Sequence, residues 1–199
     1  MEERVLFCDC SGMPTPEEER NFPPIPPEKE RELDEELDKI FDEICRQYGL
    51  EDEPDPPFDC VDVGKYILEQ GGEMSTWKLQ KLCYYSQAWH YTWAERRLIT
   101  EDFQAWRNGP VCPELYELHK DKFIVSADDL PGDSSKLSTD GKESINVVLE
   151  DYGSRSPYEL REQTHSEDPW LKARKNLPPD VHSEEIISLE SMGEYYGSL

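Results

Sequence analysis

The side chains able to perform acid–base, nucleophilic or metal chemistry are scattered along this 199-residue chain. Its four histidines, at 90, 119, 165 and 182, fall on separate predicted elements, and no H-E-x-x-H, C-x-x-C or G-x-S-x-G spacing joins them. Catalysis by a general base or an activated nucleophile needs its groups within hydrogen-bond reach of one another, and the spacing gives no such pairing. The glycine pairs also lack the context of a phosphate-binding loop. The densest grouping is Thr164-His165-Ser166-Glu167-Asp168-Pro169-Trp170, a histidine ahead of two acids and a helix start. One histidine with two adjacent carboxylates is not a ligand set by spacing, so the segment reads as a cap or a packing element. An enzymatic reading would draw on His90, His165 and Cys112, and metal copurifying at unit stoichiometry would be its sign.

Six cysteines stand at 8, 10, 45, 60, 83 and 112, mostly in helical patterns. That dispersion predicts free thiols in a reducing compartment rather than a disulfide framework. Cys8-Asp9-Cys10 offers two thiolates at C-x-C spacing, but a structural zinc site needs four ligands and only distant Cys45 is near in sequence. The pair reads as a plain terminus or a remnant of a lost zinc ribbon, so neither a metal nor a cofactor is expected.

Charge narrows the partners. The formal net charge is −24, and residues 1–60 carry 20 Asp and Glu against 6 Lys and Arg, a net of −14. Such a surface repels DNA, RNA and anionic lipid and draws in a basic partner, which argues against direct nucleic-acid or membrane binding. Met1-Glu2-Glu3 places acid where a signal peptide needs base, and no apolar run approaches the roughly 20 residues that span a bilayer. A cytoplasmic location is expected.

The elements that would position a site are mostly helical. Residues 11–28 contain six prolines, which favour extended backbone. Leu33, Leu37, Ile40, Phe41 and Ile44 then form an amphipathic stripe, predicting a helix over about 29–48 with an acidic opposite face. It reads either as packing on its own chain or as lying in a partner's groove, where its acidic face would mimic an anionic substrate. Beyond a second proline hinge, Val61 to Leu68 predict a helix ended by Gly71-Gly72. A second helix, capped by Ser75 or Thr76, runs through Leu79, Leu82, Trp89 and Trp93. Its remaining positions include Tyr84, Tyr85, Ala88 and Tyr91, so it is either enclosed or leaves aromatic surface for a partner. Asn108-Gly109-Pro110 predicts a turn with short strands beside it, and Pro113 opens a short helix to 120. Pro131 to Ser135 reads as a loop. Later helices are expected from Ser138 or Thr139 to Tyr152, from the Ser156-Pro-Tyr-Glu159 capping box, and from Ser183 onward through Ile186, Ile187, Leu189 and Met192. The fold class is therefore mainly α, with an acidic extension over 1–59 and a helical domain over 60–199.

Four segments in order carry a resemblance: Asp62-Val-Gly-Lys-Tyr-Ile-Leu68, Lys78-Leu-Gln-Lys-Leu-Cys-Tyr-Tyr-Ser-Gln-Ala-Trp89, Phe103-Gln-Ala-Trp-Arg-Asn-Gly-Pro-Val-Cys-Pro-Glu-Leu-Tyr116, and Thr164-His-Ser-Glu-Asp-Pro-Trp-Leu-Lys-Ala173. Together they resemble the Panacea domain of SocA-type antitoxins and phage-associated GepA-type proteins, over about residues 60–197. The resemblance implies a helical antitoxin domain that neutralises a cognate toxin protein by direct binding. Alternatives are an adaptor that delivers a toxin to an AAA+ protease of ClpXP type, or a prophage accessory binding protein. Residues 1–59 have no counterpart in the shared domain, and Cys83 and Cys112 stand where an apolar residue is more usual.

Within the motifs, Leu79, Leu82 and Tyr85 look like core, Gly109 and Pro110 set the turn, and His165 and Trp170 look structural. Lys78, Gln80, Lys81 and Arg107 are basic or polar groups in an acidic protein, facing a partner, anchoring a buried acid, or simply solvated. With Tyr84, Trp89 and Trp106, and with the stripe Leu33, Leu37, Ile40 and Phe41, they form the expected partner-contact set.

Overall fold

The computed structural model describes residues 56–199 except 176 and 179, together with residues 26, 29, 31, 33, 36, 37, 39 and 40. The chain divides into two units, 1–53 and 54–199. In the first, the described residues 29 to 40 are helical, and Leu33, Leu37 and Ile40 are exposed. Phe41, Ile44 and the cysteines at 8, 10 and 45 lie outside the described residues.

The second unit holds seven α-helices among the described residues, and two small antiparallel strand pairs. Helix α1 spans Cys60–Gly71, with Asp59 as its cap and Gly72 closing it at φ 72°. A two-residue strand β1, Met74–Ser75, leads into the 19-residue helix α2, Thr76–Ala94, whose N-cap Ser75 accepts the Lys78 amide. Strands β2 (Gln104–Trp106) and β3 (Gly109–Val111) form a hairpin, followed by α3, Pro113–His119, and by β4, Ile124–Val125, which pairs with β1. Helices α4 (Thr139–Tyr152), α5 (Pro157–Ser166), α6 (Asp168–Ala173) and α7 (Leu189–Tyr196) complete the unit.

Helix α2 is the axis. Twelve of its residues are buried, among them Leu79, Leu82, Cys83, Tyr84, Tyr85 and Ala88, and it packs on α1, α4 and α7. This explains its lack of a polar stripe: a helix enclosed on most sides has no wet face to mark. Its tyrosines interlock, with Tyr84 edge-on to Phe103 at 5.6 Å and Tyr85 stacked on Tyr152 at 4.2 Å. The capping signals at Ser138 and Ser156 fall where expected, the latter as a complete capping box.

Ser183 does not open the last helix. Its Oγ accepts the Glu185 amide in a local turn, and the helix starts later, capped by Ser188. Residues 185–187 are extended instead, because the outer edge of β2 needs partners: Ala105 N–H donates to Glu185 O and Ile187 N–H to Phe103 O, both at 2.8 Å. The 131–136 loop ends in a 3-10 turn, Ser134–Lys136, tied to α1 by buried Asp62, which accepts the Asp133 amide at 2.7 Å and the Lys136 ammonium at 3.0 Å.

Candidate functional site

The polar residues of α2 hold the hairpin. Gln80 acts on β3 as a neighbouring strand would: its Oε1 accepts the Cys112 N–H at 2.8 Å and its Nε2 donates to the Cys112 carbonyl at 3.2 Å. Lys81, only 3% exposed, donates from Nζ to the Pro110 carbonyl at 3.0 Å. Gly109 lets that lysine pass. A Cβ at this position would stand 2.5 Å from Lys81 Cε and 2.9 Å from Thr164 Oγ1, and the backbone φ is 101°.

The segment 164–174 grips the hairpin from the other side. Trp170 Nε1 donates to the Trp106 carbonyl at 3.0 Å. Arg174, 2% exposed, donates to the Ala105 carbonyl at 2.7 Å and to the carbonyls of Pro178 and Val181, while its guanidinium lies over the Trp170 ring. His165 stacks on Trp170 at 4.0 Å, and burial first, with Arg161, Lys81 and Arg174 behind it, lowers its pKa to about 4. Glu167 accepts from Tyr85, Tyr196 and Gln163, and burial pushes its carboxyl above the usual range.

What this double clamp presents is the hairpin tip. Trp106 and Asn108 are half-buried, Arg107 is exposed, and the tip borders a cavity of about 460 Å³. The cavity runs from the start of α2 to the end of α3 and to Asp180 and His182. Its cations are Lys81, Arg107, Lys120 and Lys122, with Asp180 the one acid among the lining residues. Two are already neutralised: Lys120 pairs with Glu117 at 2.6 Å and Lys122 with Asp129. Trp106 meets Tyr116 edge-on at 4.9 Å and His182 at 5.2 Å, and Trp77 and Phe123 add exposed aromatic wall.

The expected contact residues therefore separate. Trp106, Arg107, Gln80 and Lys81 come together at this cavity, the last two from beneath it. Lys78 is half-buried and donates to the Gly153 carbonyl at 2.5 Å. Trp89 bonds Tyr152 Oη at 2.9 Å and stacks on exposed Trp93. Tyr84 is fully enclosed, so it belongs to the core with Leu79, Leu82 and Tyr85 rather than to a surface, because α7 covers it through Tyr196. His90 bonds Ser144 Oγ at 2.9 Å, and Cys112 lies among the buried thiols Cys60 and Cys83, so neither shares the surroundings of His165. Among the described residues no group of three or more His, Cys, Asp or Glu could hold a metal ion, and no helix is long and apolar enough to cross a membrane. The sequence reading missed Tyr116 and His119, which share a face of α3 at i, i+3, and Arg174, for which no local pattern exists.

Burial, with Arg161 adding to it, lowers the Lys81 pKa to about 7, against about 10.4 in an unfolded chain. Between those values the unfolded state binds the extra proton, so this group makes stability rise as pH increases from 7 and fall toward pH 7 from above. Lys81→Met should flatten that dependence. The wild-type-minus-variant difference in unfolding free energy, from urea titrations at pH 6.5 to 8.5, should climb by up to ~1.4 kcal/mol per pH unit above pH 7. A difference flat across the range would show that Lys81 keeps its ordinary pKa.

Comparison with curated proteins and with solved structures gave no match. Comparison with family profiles did: residues 79–171, from just before the clamp residues on α2 to the last turn of α6, match the family described as Antitoxin SocA-like, Panacea domain. The match takes in Gln80, Lys81, the whole hairpin, His165 and Trp170. Over residues 79–171 this chain is therefore similar to the Panacea domain of the antitoxin-like SocA family.

Proposed function

We propose that this protein is a cytoplasmic antitoxin that neutralises a cognate toxin by direct protein–protein binding, acting by occupancy rather than by catalysis. The observation that carries the reading is the profile match over 79–171, whose motif side chains are used to hold a hairpin tip in place. A recognition surface set on a rigid hairpin loses little ordering entropy when a partner docks. The charge of −24 favours a toxin that is basic where it meets the acidic surface.

The test is co-expression of the full chain with the open reading frame encoded beside it, scoring growth and copurification. Rescue of growth with a one-to-one complex is expected. Arg107→Glu at the exposed tip should weaken the pull-down at least ~tenfold while leaving the unfolding midpoint within ~0.5 kcal/mol of wild type. A harmless neighbour that does not copurify overturns the reading. If toxin instead disappears faster only when an AAA+ protease of ClpXP type and ATP are present, the protein is a proteolytic adaptor. Deleting residues 1–59, or placing charges at Leu33, Leu37, Ile40 and Phe41, shows whether the extension takes part in docking.

A further inference from the structure

The cavity beneath the hairpin tip has features that backbone clamping does not use. Lys81 has three N–H donors and gives one to Pro110, and no carboxylate pairs with it among the described residues. Arg107 has no hydrogen-bonding or ionic partner among them either. His119 is 3% exposed, and its tautomer follows from Gln80. Because Gln80 Oε1 accepts the Cys112 N–H, its Nε2 is the atom facing His119 Nε2, at 3.0 Å. An amide nitrogen only donates, so His119 Nε2 accepts and Nδ1 carries the hydrogen. That buried Nδ1–H has no acceptor on any other residue, only the backbone of His119 itself. Burial also lowers the His119 pKa, which agrees with a neutral ring.

Three donor groups with hydrogen-bonding capacity to spare, Lys81 bonded once and buried, Arg107 exposed and His119 buried, therefore line one cavity walled by Trp77, Trp106, Tyr116 and Phe123. Buried donors are ordinarily paired, and each orphan costs about 1–3 kcal/mol. Their concentration here is what a site waiting for an acceptor looks like. Arg107 and Lys81, whose ammonium form a bound anion would favour, match the double charge of a phosphate monoester, whereas a carboxylate would leave one of them uncompensated. Aromatic walls suit a planar ring, and about 460 Å³ lies in the range of small-molecule sites.

We propose that this cavity binds a phosphorylated nucleoside, with its planar base against the aromatic walls and its phosphate on Lys81, Arg107 and His119. The site shares Arg107 with the hairpin tip of the toxin-binding reading, but it can fail without that reading, since the ligand is read on the protein alone.

The experiment is calorimetric titration of the full chain at pH 7 with adenosine monophosphate, adenosine, inorganic phosphate and a glutamate-rich peptide. Adenosine monophosphate should saturate with a Kd on the order of 10–100 µM, as expected for a ligand of this size. Adenosine and inorganic phosphate should each bind at least ~tenfold more weakly, because each makes only half of the contacts. Arg107→Ala should weaken nucleotide binding ~tenfold or more, the loss of one charge-assisted contact. Lys81→Met, first shown to be folded by its urea transition, should do the same. Absence of saturable nucleotide binding to millimolar concentration overturns the proposal. So does binding that both variants leave unchanged, or a protein that takes up the acidic peptide and not the nucleotide, which would make the cavity a socket for a partner's carboxylates.

Discussion

Gly109→Ala should destabilise this domain by about 2–5 kcal/mol, more than most single-methyl additions elsewhere in it. Two separate costs combine. At φ 101° an alanine sits in backbone space that side chains rarely adopt, and its methyl would stand 2.5 Å from Lys81 Cε. The far end of a lysine usually swings aside cheaply. Here it is almost wholly buried and tied by Nζ to the Pro110 carbonyl, so moving it breaks a buried hydrogen bond or pushes on Thr164. Shortening Lys81 to alanine removes the second cost but not the first. In urea titrations of the two single variants and the double variant, the double should therefore be more stable than the sum of the singles predicts, by about 1–3 kcal/mol. Strict additivity would mean that the lysine is not what fixes glycine at this turn.

The hairpin was legible in the sequence because Asn108-Gly109-Pro110 is local turn chemistry, and so were the starts of α2, α4 and α5, each marked by a hydroxyl at its cap. The central position of α2 could also be inferred, since aromatic residues on all its faces leave no side for solvent. What could not be read was which element each polar group serves. Gln80 and Lys81 stood out as polar residues, yet their partners lie 32 and 29 residues away, and a hydrogen bond to a distant backbone leaves no periodic trace. Ser183 misled for the same kind of reason. It sits ahead of an apolar run as a cap would, but the unfilled edge of β2 claims residues 185–187 for pairing before the helix can begin. The cavity is further from the sequence still, being assembled from the ends of α2 and α3, the hairpin tip and residues 180 and 182.

Arg174 is where that long-range assembly is most exposed to a single change. Its guanidinium serves the Ala105 carbonyl in β2 and the Pro178 and Val181 carbonyls that carry the chain toward Asp180 and His182 at the cavity. Five N–H donors in one plane can reach three carbonyls, whereas an ammonium on a flexible stem cannot hold the same spread. Arg174→Ala should therefore cost about 3–5 kcal/mol: an enclosed side chain lost from the Trp170 ring, and a buried Ala105 carbonyl left without its donor. Arg174→Lys should recover less than half of that loss despite keeping the charge. The two contributions separate by readout. The urea midpoint reports the β2 contact, while release of the 178–182 segment should change the near-ultraviolet signal of Trp106, which His182 contacts at 5.2 Å. If lysine restores both stability and signal, charge rather than planar geometry is what this position supplies, and the hairpin is held chiefly from the α2 side through Gln80 and Lys81.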